Sequence, residues 1–312
     1  MKIDLKPLDQ QVIVITGASS GIGLATALAA ARQNARLVLA ARSKQTLDEI
    51  AKVIVADGGD AIAVEADVGD RSQVERIAAL AIARFGRIDT WINNAGVSVY
   101  GRIDEVNDRD NERIFRTNFW GVVYGSQVAL PYLRQNGGAL INVGSEASEA
   151  AIPLQGMYAA SKHAVKGFTD ALRLELEADE APVSVTLIQP TAVDTPYPEH
   201  AGNYLSQEPK LPTPMIEPEK VAGAILDAAT SPARDVKVGA MATLNTAMAK
   251  LMPSLFDVMA KRQMGRQQRK EAPHLRDGTL YEPGFSGRIW GRGNENQASQ
   301  REAQSLNVRN AA

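Results

Sequence analysis

The 312-residue chain contains no cysteine. That excludes disulfides, thiolate nucleophiles and cysteine-ligated metal sites. Histidine is nearly as scarce: His163, His200 and His274 are the only three, and none of their spacings suits a shared metal. No apolar run approaches the roughly 18 residues of a membrane-spanning helix. Neither sign of charge is in excess, since 34 basic against 36 acidic residues leave a formal net charge of -2. Such a balance gives no electrostatic footprint for a nucleic-acid partner. The opening Met1-Lys-Ile-Asp-Leu-Lys6 puts charges where a secretory leader needs an apolar stretch. The expected compartment is the cytoplasm.

What is present is an ordinary globular composition, 45% hydrophobic and 22% charged, in a chain long enough to bury roughly three quarters of its unfolded surface. Short apolar, β-branched runs alternate with segments of helical period. The runs are 12–16, 37–41, 61–65, 90–92, 140–143, 184–188 and 236–238. That rhythm predicts an α/β fold, a doubly wound parallel sheet of about seven strands with helices on both faces. Residues 112–134 read as one long helix. The proline-rich connection 191–218 interrupts the rhythm, and long connections in compact domains are often functional lids.

Gly17-Ala-Ser19-Ser20-Gly21-Ile22-Gly23 follows the first run directly and opens a helix. Strand, glycine-rich turn and helix in that order suit a phosphate-binding crossover. Gly17 permits the tight turn, Gly21 the approach of pyrophosphate, and Gly23 close packing of helix on strand. At the end of the second run an acid would bind a ribose 2′-hydroxyl and a base a 2′-phosphate. Ala41 stands where the acid is expected and Arg42 follows, which favours NADP(H) over NAD(H).

A second constellation runs from Asn142-Val-Gly-Ser145 to Tyr158-Ala-Ala-Ser-Lys162. Ser145 is placed at the C-terminal end of a strand, where open α/β sheets hold their ligands. Tyr158 and Lys162 are one helical turn apart and share a face. An ammonium about 4 Å from a phenol at an effective dielectric of ~20 favours the phenolate by ~4 kcal/mol before desolvation. The expectation is a tyrosine pKa lowered toward neutrality for proton transfer, with Ser145 hydrogen-bonded to the oxygen on which charge develops.

Taken in order, these pieces resemble the short-chain dehydrogenase/reductase family over about residues 8–240. The carriers are Thr16-Gly17-x-x-x-Gly21-x-Gly23, Asp67-Val68, Asn93-Asn94-Ala95-Gly96, Asn118, Ser145, Tyr158-x-x-x-Lys162 and Pro190…Thr195. The resemblance implies a Rossmann-like NADP(H)-dependent oxidoreductase acting on a small carbonyl or alcohol. Tyr158 would be its general acid and base, Lys162 would bind the nicotinamide ribose, Ser145 would orient the substrate, and Asn118 would hold a relay water. It also implies cofactor contacts from Ser19, Ser20, Ile22, Asp67, Val68, Asn94, Ala95, Gly96, Pro190, Val193 and Thr195, and a homodimer or homotetramer. Thr191 departs from the family's usual glycine after Pro190, so the loop to Thr195 is expected to take a different path. A cofactor-binding sensor without turnover is the competing reading, and it would be expected to lack Tyr158 or Lys162. Val97, Tyr100, Ala147, Gln155, Met157 and Tyr197 are the candidate substrate-pocket residues.

The organisation expected is a catalytic domain over 1–240, a helical extension over 241–290 and a disordered tail over 291–312. Met241, Leu244, Met248, Leu251 and Met252 fall near one helical face. Pro253 interrupts, and Ser254…Asp257 reads as a capping box opening a second helix. Six basic and two acidic residues lie between Lys250 and Glu271. Packing on the chain's own domain ranks first for this extension, then a cleft cover or a subunit contact, and peripheral membrane contact last.

Overall fold

In a computed structural model, residues 3–284 and 287–292 are described. The strands are β1 (Val12–Thr16), β2 (Arg36–Ala41), β3 (Asp60–Glu65), β4 (Thr90–Asn93), β5 (Val99–Tyr100), β6 (Gly138–Val143), β7 (Val183–Pro190), β8 (Gly202–Asn203) and β9 (Asp235–Val238). The helices are α1 (Gly21–Ala31), α2 (Lys44–Ala56), α3 (Arg71–Phe85), α4 (Asp108–Phe115), α5 (Gly121–Asn136), α6 (Gly156–Ala178), α7 (Tyr197–His200), α8 (Pro218–Thr230), α9 (Ala240–Leu251) and α10 (Pro253–Gln263). Seven strands form one parallel sheet in the order β3-β2-β1-β4-β6-β7-β9, while β5 and β8 pair apart from it.

Side chains alternate across each strand and so build two cores. Ile13, Ile15, Leu37 and Leu39 pack on one face with Leu24 and Ala27 of α1 and Val221 and Ile225 of α8. Val12, Val14 and Val38 pack on the other with Val74 and Ile77 of α3 and Leu133 of α5. Every residue of β1, β6 and β7 is buried, as a strand covered on both faces requires. The strand order reverses between β1 and β4, and that opens a crevice at their carboxyl ends.

The long helix expected over 112–134 starts earlier and is not uniform. A π-turn at Arg116–Trp120 joins α4 to α5, and Asn118 lies within it. Single π-turns inside helices are frequent at functional positions. At the extension, Pro253 is the first residue of α10 and the Met252 N-cap provides no side-chain bond, so the Ser254 capping box does not form. Proline at N1 lacks only an amide that would be unpaired anyway, which makes that start sufficient. Ser43 likewise precedes α2 without capping it, its hydroxyl pairing instead with Thr46 Oγ1 at 2.8 Å. None of the described helices is long and apolar enough to cross a membrane. The tail expected to be disordered lies, from residue 293, outside the described residues.

Candidate active site

One continuous cavity occupies the crevice. Its floor takes in Gly17, Ser19, Ser20, Gly21 and Ile22 from the glycine turn, Ala41 and Arg42 at the end of β2, and Asp67 and Val68 after β3. Asn94, Ala95 and Gly96 after β4, Ser145 after β6, Tyr158 and Lys162 on α6, Pro190 at the end of β7, and Val193 and Thr195 beyond it complete the lining.

The glycine turn has the geometry its residues imply. Gly17 takes φ 67, a region that L side chains avoid. A methyl group at Gly23 would overlap the Gly17 carbonyl oxygen, so glycine there is a packing requirement. Asn94 Nδ2 donates to the Thr16 and Gly17 carbonyls at 3.0 and 3.2 Å and pins the turn to β4. Its neighbour Asn93 has a different task. It accepts from Trp91 Nε1 at 2.8 Å and donates to Asn142 Oδ1 at 2.9 Å, and Asn142 donates in turn to Thr169 Oγ1 at 2.9 Å. This buried amide chain ties β4, β6 and α6 together beneath the site.

Burial sets the state of Lys162 and Tyr158. Lys162 is buried and donates one hydrogen bond, to Val143 O at 2.8 Å. Burial lowers its pKa to about 8. Tyr158 sits beside it, with the ammonium 5.8 Å from the ring centroid. The phenol was expected to be shifted down, yet burial pushes it up; hydrogen bonding with Ser145 and Tyr197 offsets part of this, and Glu146 adds to it. Desolvation is the largest of these effects, because the buried phenolate would lose its hydration. The Tyr197 ring packs edge-on against Tyr158 at 5.6 Å, and its hydroxyl donates to Gln155 Oε1 at 2.9 Å.

Asn118 does not reach the cavity. It is fully buried, accepting from Val97 N at 2.8 Å and donating to Val97 O at 2.9 Å and Ser161 Oγ at 3.1 Å. Both of its N–H donors and one acceptor site of its oxygen are used, which clamps the segment after β4 to α6. Arg42 is also engaged. Its guanidinium donates to the carbonyls of Leu280 and Tyr281 at 3.1 and 3.0 Å and to that of Thr279. Burial and the nearby Arg113 lower its pKa, against the pull of Asp67 and Glu282. Asp67 Oδ2 is paired with Arg113 Nη2 at 2.6 Å.

Thr191 replaces the family's glycine without strain, since its φ is not positive. Its hydroxyl donates to Glu146 Oε2 at 3.1 Å, and Asn245 Nδ2 of α9 donates to the same oxygen at 2.9 Å. Glu146, next to Ser145, was missed in the sequence because a lone carboxylate after a serine carries no motif. Burial raises its pKa against those two hydrogen bonds. Of the pocket residues expected, Val97, Gln155 and Tyr197 line the cavity. Tyr100, Ala147 and Met157 do not. The other wall comes from beyond residue 240, with Asn245, Phe256, Met259, Ala260, Gln263, Gln267, Thr279, Pro283 and Gly284 all lining it.

The residues fit a dinucleotide. The cavity runs unbroken from Arg42 past the glycine turn to Lys162, and the buried ammonium has a single hydrogen bond to protein among the described residues. An ammonium carries three donors, so its other N–H groups are available to hydroxyls in the cavity.

The short chain dehydrogenase family model matches residues 11–203. The chain belongs to the short-chain dehydrogenase family. An uncharacterized oxidoreductase, YxnA of Bacillus subtilis, is 47% identical over 288 residues, covering 91% of this chain and 81% of that protein. A match of that length cannot stop at β9, so the similarity extends into the C-terminal helices. The 11-beta-hydroxysteroid dehydrogenase 1A of Arabidopsis thaliana is 36% identical over 203 residues, which is 64% of this chain and 57% of the plant protein. Among solved structures, a short-chain dehydrogenase/reductase from Burkholderia phymatum in complex with NAD superposes with a TM-score of 0.69 at 26% identity, over 87% of this chain and all of that one. An alcohol dehydrogenase from Thermococcus sibiricus complexed with 5-hydroxy-NADP gives 0.65 at 28% identity, covering 73% and 94%. As a member of this family the chain is an alcohol or carbonyl oxidoreductase, and its structural neighbours bind nicotinamide cofactors.

Proposed function

We propose that the protein interconverts an apolar carbonyl compound and the corresponding secondary alcohol, with Tyr158 as proton donor and acceptor and NADP(H) as the preferred cofactor. One observation carries the reading: Ser145, Tyr158 and Lys162 meet at one end of a cavity whose other end is the glycine turn and Arg42. When bound, the nicotinamide supplies or accepts the hydride. Arg42, Asp67 and Val68 would border its adenosine end, the turn Gly17–Gly23 its phosphates, and Asn94–Gly96 and Pro190–Thr195 its nicotinamide end. Lys162 would donate to ribose hydroxyls.

Ser145 Oγ donates a hydrogen bond to the substrate oxygen and fixes it beside the phenol. Tyr158 gives its proton to that oxygen in reduction and takes it back in oxidation. Because burial holds the phenol protonated at neutral pH, reduction finds its acid ready while oxidation requires the proton to leave first. Asn118 positions Val97 and α6 and makes no contact with substrate.

The NADP(H) preference rests on Ala41, which offers no carboxylate to a 2′-hydroxyl, and on Arg42, whose affinity for protons the neighbouring Arg113 guanidinium lowers. A 2′-phosphate would relieve that repulsion. NAD(H) is the alternative. With NADPH and NADH and a panel of ketones and aldehydes, kcat/KM should be higher for NADPH. Arg42→Ala should lower the NADPH value by about tenfold or more, the worth of a charge-assisted contact. Equal kcat/KM with both cofactors would sink the preference, and no turnover with any carbonyl would favour a non-catalytic sensor. We also place the protein in a homodimer or homotetramer of closed symmetry. A single-subunit mass by light scattering at micromolar concentration would contradict that.

A further inference from the structure

We propose that the C-terminal stretches 277–284 and 287–292 form a strap that closes over the bound dinucleotide and has to lift for the cofactor to exchange. The proposal rests on the reading of the crevice as a nicotinamide-dinucleotide site.

The strap is fastened to both rims of that crevice. On the adenosine rim, Leu280 is 2% exposed and packs among Val97, Val99 and Ile114. Arg42 and Arg113 both donate to the Leu280 carbonyl, Arg113 at 2.8 Å, and Tyr281 OH donates to Asp110 Oδ1 at 2.6 Å. Gly278 takes φ 55 with its Cα against the His200 and Ala201 carbonyls, where a side chain would overlap them. On the phosphate rim the fastening is polar. Gly21 N donates to Arg288 O at 2.9 Å and Gly287 N donates to Ser19 O at 2.9 Å, so main chain binds main chain at the glycine turn itself. Arg288 is paired with Glu199, and Trp290 Nε1 donates to Glu219 at 3.3 Å.

Two features make this a clasp and not a plug. Thr279, Pro283 and Gly284 line the same cavity as the glycine turn and Lys162, so the strap bounds the space and leaves it continuous. Its fastenings also run along the dinucleotide's whole flank, from Arg42 to Gly21. Lifting one end would uncover the route in. The apolar anchor at Leu280 is the costly end to lift. The solvent-near hydrogen bonds at 287–290 open with less free energy, because water replaces them. The phosphate rim is therefore the end that opens, while Leu280 stays docked.

Cofactor release can be timed by displacing bound NADPH with excess NADP+ and following its fluorescence, in the full chain and in Arg288→Ala and Leu280→Asp. The strap predicts dissociation faster by about tenfold or more in Leu280→Asp and by about threefold to fivefold in Arg288→Ala, whose pair with Glu199 is partly exposed, since changes of this kind appear mainly in the off-rate. Arg288→Ala keeps the test open should Leu280→Asp not fold, and unfolding temperatures without cofactor identify that case. NADP+ should also slow tryptic cleavage after Arg288 in the wild type. Off-rates within twofold of wild type in Arg288→Ala would overturn the strap. So would faster cleavage or tighter binding, which would mark the segment as a competitor for the site. A wild-type chain that bound neither dinucleotide would fail earlier, at the reading of the crevice.

Discussion

The cavity has a floor and a roof of different character. The floor is built from strand ends and from the first turns of α1 and α6, and its side chains are held by buried networks such as Asn93–Asn142–Thr169. The roof comes from α10 and the strap, and its α10 side keeps much of its apolar surface in water: Leu251 and Met252 at the junction of α9 and α10, and Leu255 and Val258 of α10, are all exposed. A rigid floor can hold reacting groups to the tolerance that proton transfer needs. A roof fixed by fewer buried contacts can move. The chemistry is therefore assigned to the floor, and the choice and exchange of ligands to the roof.

The sharpest way to break that division is Tyr158→Phe. It keeps the ring against Tyr197 and removes the proton, so kcat should fall by about 10²–10⁴ while the NADPH Kd changes little. Retention of most of the rate would move the proton source elsewhere and leave the floor without its role. A smaller effect is expected in the roof. Phe256→Ala removes an apolar wall of the cavity and should raise KM for apolar carbonyls by roughly tenfold, given about 1–3 kcal/mol for such contacts, with kcat nearly unchanged. A kcat loss comparable to that of Tyr158→Phe would show that the two regions are not separable.

How much of this was legible follows the same line. The glycine turn, the β2 end and the Ser145–Tyr158–Lys162 set were readable because close backbone approach and proton transfer restrict residue type at fixed spacing. The seven strands were readable because strands buried on both faces need continuous apolar runs. The roof was not, because Phe256, Met259, Thr279 and Pro283 reach the cavity through tertiary placement, and helical period names no neighbour. The packing of Leu280 and the bonds of Arg42 to three carbonyls leave no trace in composition. Asn118 is a related case: a motif position shows that an asparagine is needed there, but not that its side chain bonds to Val97 and Ser161. The tyrosine shift was misjudged because an attraction between neighbours can be written from sequence, whereas desolvation requires the depth of burial.

The smallest effect concerns Lys162. Its folded pKa of about 8 lies below its ordinary 10.5, so between those values the unfolded chain binds more protons and stability rises with pH. The burial penalty is full below about pH 8 and fades toward 10.5. Without cofactor, Lys162→Met should therefore gain stability relative to wild type at pH 7, and that advantage should shrink by pH 10. An advantage that grew with pH would show that the ammonium is better solvated than its single hydrogen bond implies.

The central claim, hydride transfer in the cavity with Tyr158 as the proton source, is met most directly by isotope transfer. NADPH carrying deuterium at both C4 positions of the nicotinamide would be incubated in single turnover with a ketone that the protein reduces, and the alcohol analysed by mass spectrometry. The account predicts one deuterium on the carbinol carbon from wild type, and the same labelled product from Tyr158→Phe formed slower by about 10²–10⁴. A product without deuterium, or a Tyr158→Phe protein that matched the wild-type rate, would contradict it.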